Sequence, residues 1–216
     1  MKVLEKTLTL KNNEICFLQK EGQAGLKILF LGVTHGEEPQ GEPLINRFIE
    51  EIKNNNLEFK NDLFFIPCLN PDGKAVKKRG NSNNVDLNRN YPTKNYEVTT
   101  FDDDTTSGKF PLSEIETKFL ANIVEKYNFD VILSFHAPFA IVNYDGPAEK
   151  IAQEISNITG YPLQADIGYT TPGSFGTFCG VEKNIPIVTL EVSDKLSDEE
   201  LWVQNKKVFY YLANLV

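Results

Sequence analysis

Residues 26–56 read LKILFLGVTHGEEPQGEPLINRFIEEIKNNN. The stretch begins with an apolar run (26–32) that is short and rich in Ile, Leu and Phe, as is typical of a strand buried on both faces. It ends with a segment (41–56) whose apolar residues recur at helical spacing and form one face of an amphipathic helix. A buried strand followed by such a helix is the building unit of parallel α/β proteins.

Three further apolar runs carry the same signature. They are LFFIPCL (63–69), VILSF (131–135) and IPIVTL (185–190). Helical periodicity recurs in residues 112–128, 148–160 and 198–216. Ser113 and Glu116 have the spacing of a capping box at the start of the first of these helices. Alternating strands and helices predict an α/β fold in which a mostly parallel or mixed twisted sheet is flanked by helices.

The length of 216 residues suits one domain that spans the whole chain better than two small ones. Two polar stretches, residues 70–86 and 90–111, are expected to form long loops. Long loops on a rigid scaffold are often functional.

The composition of the chain makes some classes of binding partner unfavourable and indicates a cellular compartment. The net charge of -8 disfavours nucleic acid and anionic membrane surfaces as partners, although local arginines can still hold an anionic substrate. No segment approaches the roughly 20 apolar residues of a membrane helix. Residues 1–17 lack the uninterrupted apolar core of a signal peptide. Three widely spaced cysteines argue against a disulfide framework, so we expect a cytoplasmic protein.

Ionisable residues follow the predicted strands where each strand ends. The chain has two histidines, and both occupy such positions: His35 follows the first run and His136 follows the third. Glu38 stands three residues after His35, and Glu191 ends the fourth run. Ligands of open α/β sheets bind beyond the carboxyl ends of the strands, so these residues are predicted to converge at one edge of the sheet.

The converging residues suggest a zinc site. Hydrolytic zinc takes three ligands from His, Glu and Asp and leaves a fourth position open, a set that His35, Glu38 and His136 can supply. The alternative is that each histidine is only a surface or hydrogen-bonded residue. Glu37 competes with Glu38 for the ligand position, and we favour Glu38.

A second group of candidates lies in the segment NPDGKAVKKRGNSNNVDLNRNYP (70–92). Arg89 stands between two asparagines, and an arginine can bind a carboxylate through two parallel hydrogen bonds. The plain interpretation of Arg79 and Arg89 is that both are solvated loop charges. Glu191 is likewise either a strand-end residue that meets solvent or a general base for a metal-activated water.

Together these residues resemble the zinc carboxypeptidase family. The family pattern is HxxE, a remote Arg, Asn-Arg, a single His and a strand-end Glu. It is met in order here by His35 with Glu38, Arg79, Asn88 with Arg89, His136, and Glu191. The resemblance implies one Zn²⁺ per chain, held by His35, Glu38 and His136.

The resemblance also implies roles for the other residues. Glu191 takes a proton from the metal-activated water and passes it to the leaving amine. Arg79 stabilises the developing oxyanion. Asn88 and Arg89 hold the carboxylate beside the new amine, which fixes the cut at the last residue.

Longer segments resemble one branch of that family, the murein peptide amidases. They are GVTHGEEPQG (32–41), VDLNRNYP (85–92), FHAPFAIVNYDGP (135–147) and IGYTTPGSFGTFCGVEKNIPIVTLE (167–191). This branch is cytoplasmic and cleaves the bond between γ-D-glutamate and meso-diaminopimelate in free murein peptides during cell-wall recycling. The resemblance therefore implies a small murein peptide as substrate.

One departure from the family pattern concerns a tyrosine. Digestive carboxypeptidases carry one about twenty residues before the catalytic Glu, whereas Phe178 and Cys179 occupy the stretch where we expect it here. Tyr169 lies further upstream. Two alternatives to a murein peptide amidase stay open: a deacylase of small N-acyl amino acids of the succinylglutamate desuccinylase or aspartoacylase type, and a binding protein without turnover.

Overall fold

The computed structural model describes residues 1–101, 104–165 and 168–216, and within these ranges a seven-stranded mixed sheet has the order β1-β2-β4-β3-β5-β7-β6. The strands are β1 (Lys2–Leu8), β2 (Glu14–Lys20), β3 (Lys27–Leu31), β4 (Asp62–Ile66), β5 (Val131–His136), β6 (Ile141–Asp145) and β7 (Ile187–Glu191). The helices are α1 (Gly41–Asn55), α2 (Pro71–Val76), α3 (Ile115–Tyr127), α4 (Glu149–Thr159) and α5 (Asp198–Ala213). Two residues of the predicted loop 90–111, 102 and 103, and Ile167 of the segment 167–191 lie outside the described residues.

The centre of the sheet is parallel and both edges are antiparallel. Strands β4, β3, β5 and β7 run in the same direction. Strands β1 and β2 extend one edge in antiparallel pairing, and β6 pairs antiparallel with β7 at the other edge. The carboxyl ends of β3, β5 and β7 therefore meet at one side of the sheet, as the positions of the histidines predict.

Each central strand contributes to two cores because its side chains alternate between the faces of the sheet. Ile28 and Phe30 of β3 pack on the face covered by α1, α4 and α5. Leu29 and Leu31 pack on the opposite face with α3. All four are at most 1% exposed, and full burial of one such side chain contributes about 1.5–3 kcal/mol. The prediction of an α/β sheet between helices is confirmed.

All four apolar runs form strands, and the strand ends lie within three residues of the ends of the runs. The largest difference is in the run 63–69, whose last three residues leave the sheet after Ile66 and form a loop. The sequence patterns missed β1, β2 and β6. Their burial explains this, since β1 and most of β6 are only partly buried and β2 alternates buried Ile15 and Phe17 with partly exposed neighbours.

The four predicted helices form, and two local predictions about helix starts are wrong. Helix α3 begins at Ile115 without a side-chain cap, and Glu116 is buried against Asn81 rather than returning to Ser113. The predicted loop 70–86 contains α2, because Asn70 accepts a hydrogen bond from the amide of Gly73 and caps a helix that starts at Pro71. Among the described helices, none combines the length and apolar character needed to cross a membrane.

Candidate metal centre and substrate cavity

The first half of the candidate centre lies in the turn after β3. The amide of Glu38 donates to the carbonyl of His35, and this turn brings Glu38 Oε1 to 2.9 Å from His35 Nδ1. Gly36 is required in the turn, because a side chain there would overlap the backbone of Gly73. Glu37 points elsewhere: its side chain is 48% exposed and lies 3.8 Å from Arg79.

The second half comes from the end of β5, the neighbour of β3 in the sheet. His136 Nδ1 lies 2.9 Å from Glu38 Oε2, and the amide of Ala137 lies 3.3 Å from the same oxygen. Glu38 therefore sits between the two imidazoles. One ligand atom from each of His35, Glu38 and His136 lies within 4.8 Å of the other two, so the structure brings the three predicted ligands together.

The charges around these residues fit a bound cation. Burial opposes a positive charge on His35, but Glu38 and Asp86 outweigh it and raise the pKa of His35 to about 9. Burial likewise opposes a negative charge on Glu38, but both histidines hold the pKa of its carboxyl well below the usual range. Two nitrogen donors and one carboxylate in a buried, electron-rich cluster are the ligand set of catalytic zinc, with a fourth position left for water or substrate.

Asp86 is a functional residue that the sequence patterns missed. Its Oδ1 accepts from His35 Nε2 at 3.0 Å and its Oδ2 accepts from Arg79 Nε at 2.8 Å. Burial alone would raise the pKa of Asp86, but His35 and Arg79 hold it far below its usual range. A carboxylate that holds the second nitrogen of a ligating histidine fixes the orientation and tautomer of the ring. Asp86 thus links the candidate metal centre to Arg79.

Arg79 is positioned by three acidic groups. Besides Asp86, its Nη1 lies 3.5 Å from Glu38 and 3.8 Å from Glu37. The side chain is 24% exposed and lines the cavity next to the histidines. Arg79 is therefore not a solvated loop charge.

Glu191 occupies the end of β7, directly beside His136 in the parallel pairing of β5 and β7. Its Oε2 is buried and accepts no hydrogen bond from the described residues. Burial raises the pKa of Glu191, and the neighbouring His136 partly offsets this. A carboxyl with a raised pKa and a free oxygen facing a cavity has the properties of a general base.

Asn88 and Arg89 form the opposite part of the cavity wall. They lie in a short 3-10 helix (Leu87–Arg89), where Asp86 accepts from the amide of Asn88. Asn88 Oδ1 accepts from the amide of Phe175 at 2.8 Å, which directs the amide oxygen away from a ligand. Arg89 is 7% exposed, contacts the carbonyl of Asn88 at 2.7 Å and stacks over the ring of Phe101.

These residues line one cavity of about 310 Å³, a size that suits a small peptide or amino acid. Tyr169 also lines it, and its side chain is 55% exposed. Phe178 and Cys179, where we expected the tyrosine to be replaced, are buried in the core beneath Tyr91 and do not reach the cavity. Of the two positions considered in the sequence, Tyr169 lines the cavity, and the stretch with Phe178 and Cys179 does not.

The fold and this group of residues are those of a metal-dependent peptidase. The sequence profile described as zinc carboxypeptidase matches residues 6–159, well over half of the chain. The chain belongs to the zinc carboxypeptidase family, which confirms the predicted family and class of enzyme. Glu191 lies beyond the end of this match.

Among its relatives, the chain is 32% identical to murein peptide amidase A of Escherichia coli over 162 residues. That match covers 70% of this chain and 64% of the relative, so the chain spans less than two thirds of the relative's length. It is 31% identical to murein peptide amidase A of Vibrio campbellii, over 76% of this chain and 68% of that protein.

Solved structures share the fold. Murein-tripeptide amidase from Escherichia coli O157 superposes with a TM-score of 0.78 at 24% identity, over 97% of this chain and 90% of that one. Carboxypeptidase A from Helicoverpa armigera gives the same TM-score at 15% identity, over 98% of this chain and 68% of that one.

Proposed function

We propose that this chain is a zinc-dependent amidopeptidase that hydrolyses the bond between γ-D-glutamate and meso-diaminopimelate in free murein peptides. The observation that carries the proposal is the meeting of a His-Glu-His cluster, a glutamate with one free buried oxygen and two arginines in one cavity. The similarity to murein peptide amidases supports the choice of substrate.

His35, Glu38 and His136 hold one zinc ion in this proposal. When bound, zinc supplies a Lewis acid that polarises the scissile carbonyl and makes water more acidic. Asp86 holds Nε2 of His35, which leaves Nδ1 as the nitrogen that would bind the ion. The three ligands and Asp86 together set the geometry in which the substrate carbonyl is attacked.

Glu191 moves the proton. Its free Oε2 takes a proton from the attacking water and returns it to the nitrogen of diaminopimelate as the C–N bond breaks. The water oxygen stays on the γ-carboxyl of glutamate, so the products are a free acid and a free amine. Arg79, held by Asp86 near the cluster, stabilises the negative charge that develops on the carbonyl oxygen.

Arg89 and Asn88 bind the carboxylate next to the released amine. The guanidinium lines the cavity and provides the charge. The amino group of Asn88 adds a donor, because the oxygen of this side chain is engaged with Phe175. This contact limits cleavage to a terminal residue.

The proposed compartment is the cytoplasm. Cys16, Cys68 and Cys179 are all unpaired, which agrees with a reducing environment. The net charge of -8 disfavours nucleic acid and anionic membranes as partners. Free peptides, rather than intact cell wall, are then the accessible substrate.

Incubation with L-Ala-γ-D-Glu-meso-diaminopimelate tests the proposal directly. Mass spectrometry should detect free diaminopimelate with the zinc-loaded protein, and a chelator should abolish its release. If the zinc-loaded protein releases none, the murein assignment is wrong. Hydrolysis of N-succinylglutamate or N-acetylaspartate instead would identify a deacylase of small N-acyl amino acids.

A further inference from the structure

A second and more exposed glutamate stands beside the candidate metal centre. Glu37 precedes Glu38 in the turn after β3, and both residues line the cavity. Glu38 is nearly buried between the two histidines, whereas the side chain of Glu37 is 48% exposed. Glu37 is therefore a cavity carboxylate that the reaction proposed above does not use.

Glu37 has room for a ligand. Among the residues that the structure describes, its side chain makes one polar contact, with Arg79 Nη1 at 3.8 Å, which is too long for a hydrogen bond. Arg79 is held more closely by Asp86, at 2.8 Å. A carboxylate that faces a cavity with unfilled acceptor positions can accept a charge-assisted hydrogen bond from the ammonium group of a ligand.

The strand order indicates which half of the substrate Glu37 faces. Strand β5, which ends at His136, has β3 on one side and β7 on the other. Glu191 ends β7 and Asn143 lies on β6, so in the proposed reaction the leaving amino acid occupies that side of the metal centre. Glu37 follows β3, on the opposite side of β5. It therefore faces the acyl half of the substrate, the part that keeps the scissile carbonyl.

The acyl half is long enough to reach Glu37. Arg79 Nη1 lies 3.8 Å from Glu37 Oε1 and 3.5 Å from Glu38 Oε1, so the two glutamate oxygens are no more than about 7 Å apart. In an L-alanyl-γ-D-glutamyl group, seven bonds separate the scissile carbonyl carbon from the alanine nitrogen, a span of up to about 8 Å. With the carbonyl at the metal centre, the alanine nitrogen can come within hydrogen-bond distance of Glu37.

The charges of the protein and of the acyl half alternate in the same order. From the metal centre outward, the protein presents the guanidinium of Arg79 and then the carboxylate of Glu37. From the scissile carbonyl outward, the acyl half presents the α-carboxylate of glutamate and then the ammonium of alanine. Opposite charges therefore face each other at both positions.

We propose that Glu37 is a specificity-determining residue that binds the free amino-terminal ammonium of the acyl half. The proposal rests on the function proposed above. A peptide whose amino terminus is acylated carries no positive charge there and leaves Glu37 without this partner. Glu37 thus selects peptides whose amino terminus is free.

Two substrates that differ only at the amino terminus test the proposal: L-Ala-γ-D-Glu-meso-diaminopimelate and its N-acetyl derivative. The zinc-loaded wild-type protein should favour the free amine by about 5- to 10-fold in kcat/KM, a modest factor because Glu37 is half exposed. Glu37→Gln should remove most of this preference by raising KM for the free amine. Glu21→Gln is the matched control, because it removes an exposed charge beyond the amino-terminal end of β3, and it should keep the preference.

A purely structural role of Glu37 would give a different result. If Glu37 only helps to hold Arg79, Glu37→Gln slows both substrates by the same factor and the preference stays. That result would refute the proposal, as would the absence of any preference in the wild-type protein.

A binding measurement separates this proposal from the proposed function, because it needs no turnover. Calorimetry with the zinc-loaded protein compares L-Ala-γ-D-Glu with N-acetyl-L-Ala-γ-D-Glu as ligands. Tighter binding of the free amine that Glu37→Gln abolishes supports the subsite, even if no diaminopimelate is released and the amidase assignment fails. Equal affinity of the wild-type protein for both ligands, or a preference that survives in Glu37→Gln, refutes the subsite.

Discussion

Replacement of Asp86 by Asn tests how the metal centre is held. The carboxylate of Asp86 accepts three hydrogen bonds: Oδ1 takes those of His35 Nε2 and the Asn88 amide, and Oδ2 takes that of Arg79 Nε. Asparagine has the same shape but only one acceptor oxygen. If that oxygen keeps His35 and Asn88, the new amino group faces the N–H of Arg79 and the two donors repel.

Two independent estimates give the size of the effect. Loss of one hydrogen bond to a charged partner costs about 1.5–3 kcal/mol. Removal of a residue that orients a metal-bound histidine weakens metal binding about 10- to 100-fold, or about 1.4–2.8 kcal/mol. We therefore expect Asp86→Asn to weaken zinc binding by one to two orders of magnitude and to lower kcat further through the displaced Arg79.

The assay is competition for zinc with a chromogenic chelator, alongside thermal unfolding with and without zinc. Asp72→Asn is the matched control, because Asp72 is also a buried carboxylate and accepts from Thr9, Asn13 and Ser82. Asp72→Asn should lower stability but leave zinc affinity unchanged. Equal zinc affinity in Asp86→Asn and the wild-type protein would refute the role given to Asp86.

Three further predictions concern other parts of the molecule. Glu191→Gln should retain zinc but lower kcat by about 10²- to 10⁴-fold, measured as release of diaminopimelate, because the proton acceptor is lost. Glu38→Gln should lose most zinc affinity in the chelator assay, whereas Glu37→Gln should keep it because Glu37 lies outside the cluster. Burial raises the pKa of Glu116 above its usual 4.5, so the folded state binds the proton more tightly and stability falls as pH rises through this range. Glu116→Gln keeps an acceptor for Asn81 and should raise the unfolding temperature at pH 7, with the gain disappearing below about pH 4.5.

For each of these three predictions, one experimental result would contradict the reasoning. Undiminished turnover by Glu191→Gln places the base elsewhere. Equal zinc loss in the Glu37 and Glu38 variants would indicate a general charge effect instead of ligation. A stability difference for Glu116→Gln that is independent of pH would mean that packing, not the buried charge, causes it.

The sequence predicted the centre of the fold and the residues that gather there. Strands β3, β4, β5 and β7 are buried on both faces, so a short, mostly apolar run marks each of them. Because parallel strands end at a common edge, the positions of His35, His136 and Glu191 at strand ends were enough to predict that they meet.

The missed features depend on contacts between distant parts of the chain. Asp86 lies 51 residues from His35, and no local pattern marks a carboxylate in a polar loop as its partner. Strand β6 is short and its last three residues are only partly buried, so its sequence has no strong periodicity. Phe178 and Cys179 stand only 13 and 12 residues before Glu191, and a π-helical turn (Thr177–Glu182) buries Phe178 in the core, whereas Tyr169, 22 residues before Glu191, lines the cavity.

The strand order places the candidate metal ligands at the centre of the sheet and part of the cavity wall at its edge. His35, Glu38 and His136 lie at or just beyond the ends of β3 and β5, which pair with strands on both sides. Asn143, which also lines the cavity, belongs to the edge strand β6, which pairs with β7 and forms an isolated bridge with Leu163 on its other side. A substitution in β6 therefore perturbs the edge of the sheet more than it perturbs β3 and β5, which position the candidate ligands. Substitutions of a cavity residue on β6, such as Asn143, should therefore change the shape of the cavity with little effect on the positions of His35, Glu38 and His136.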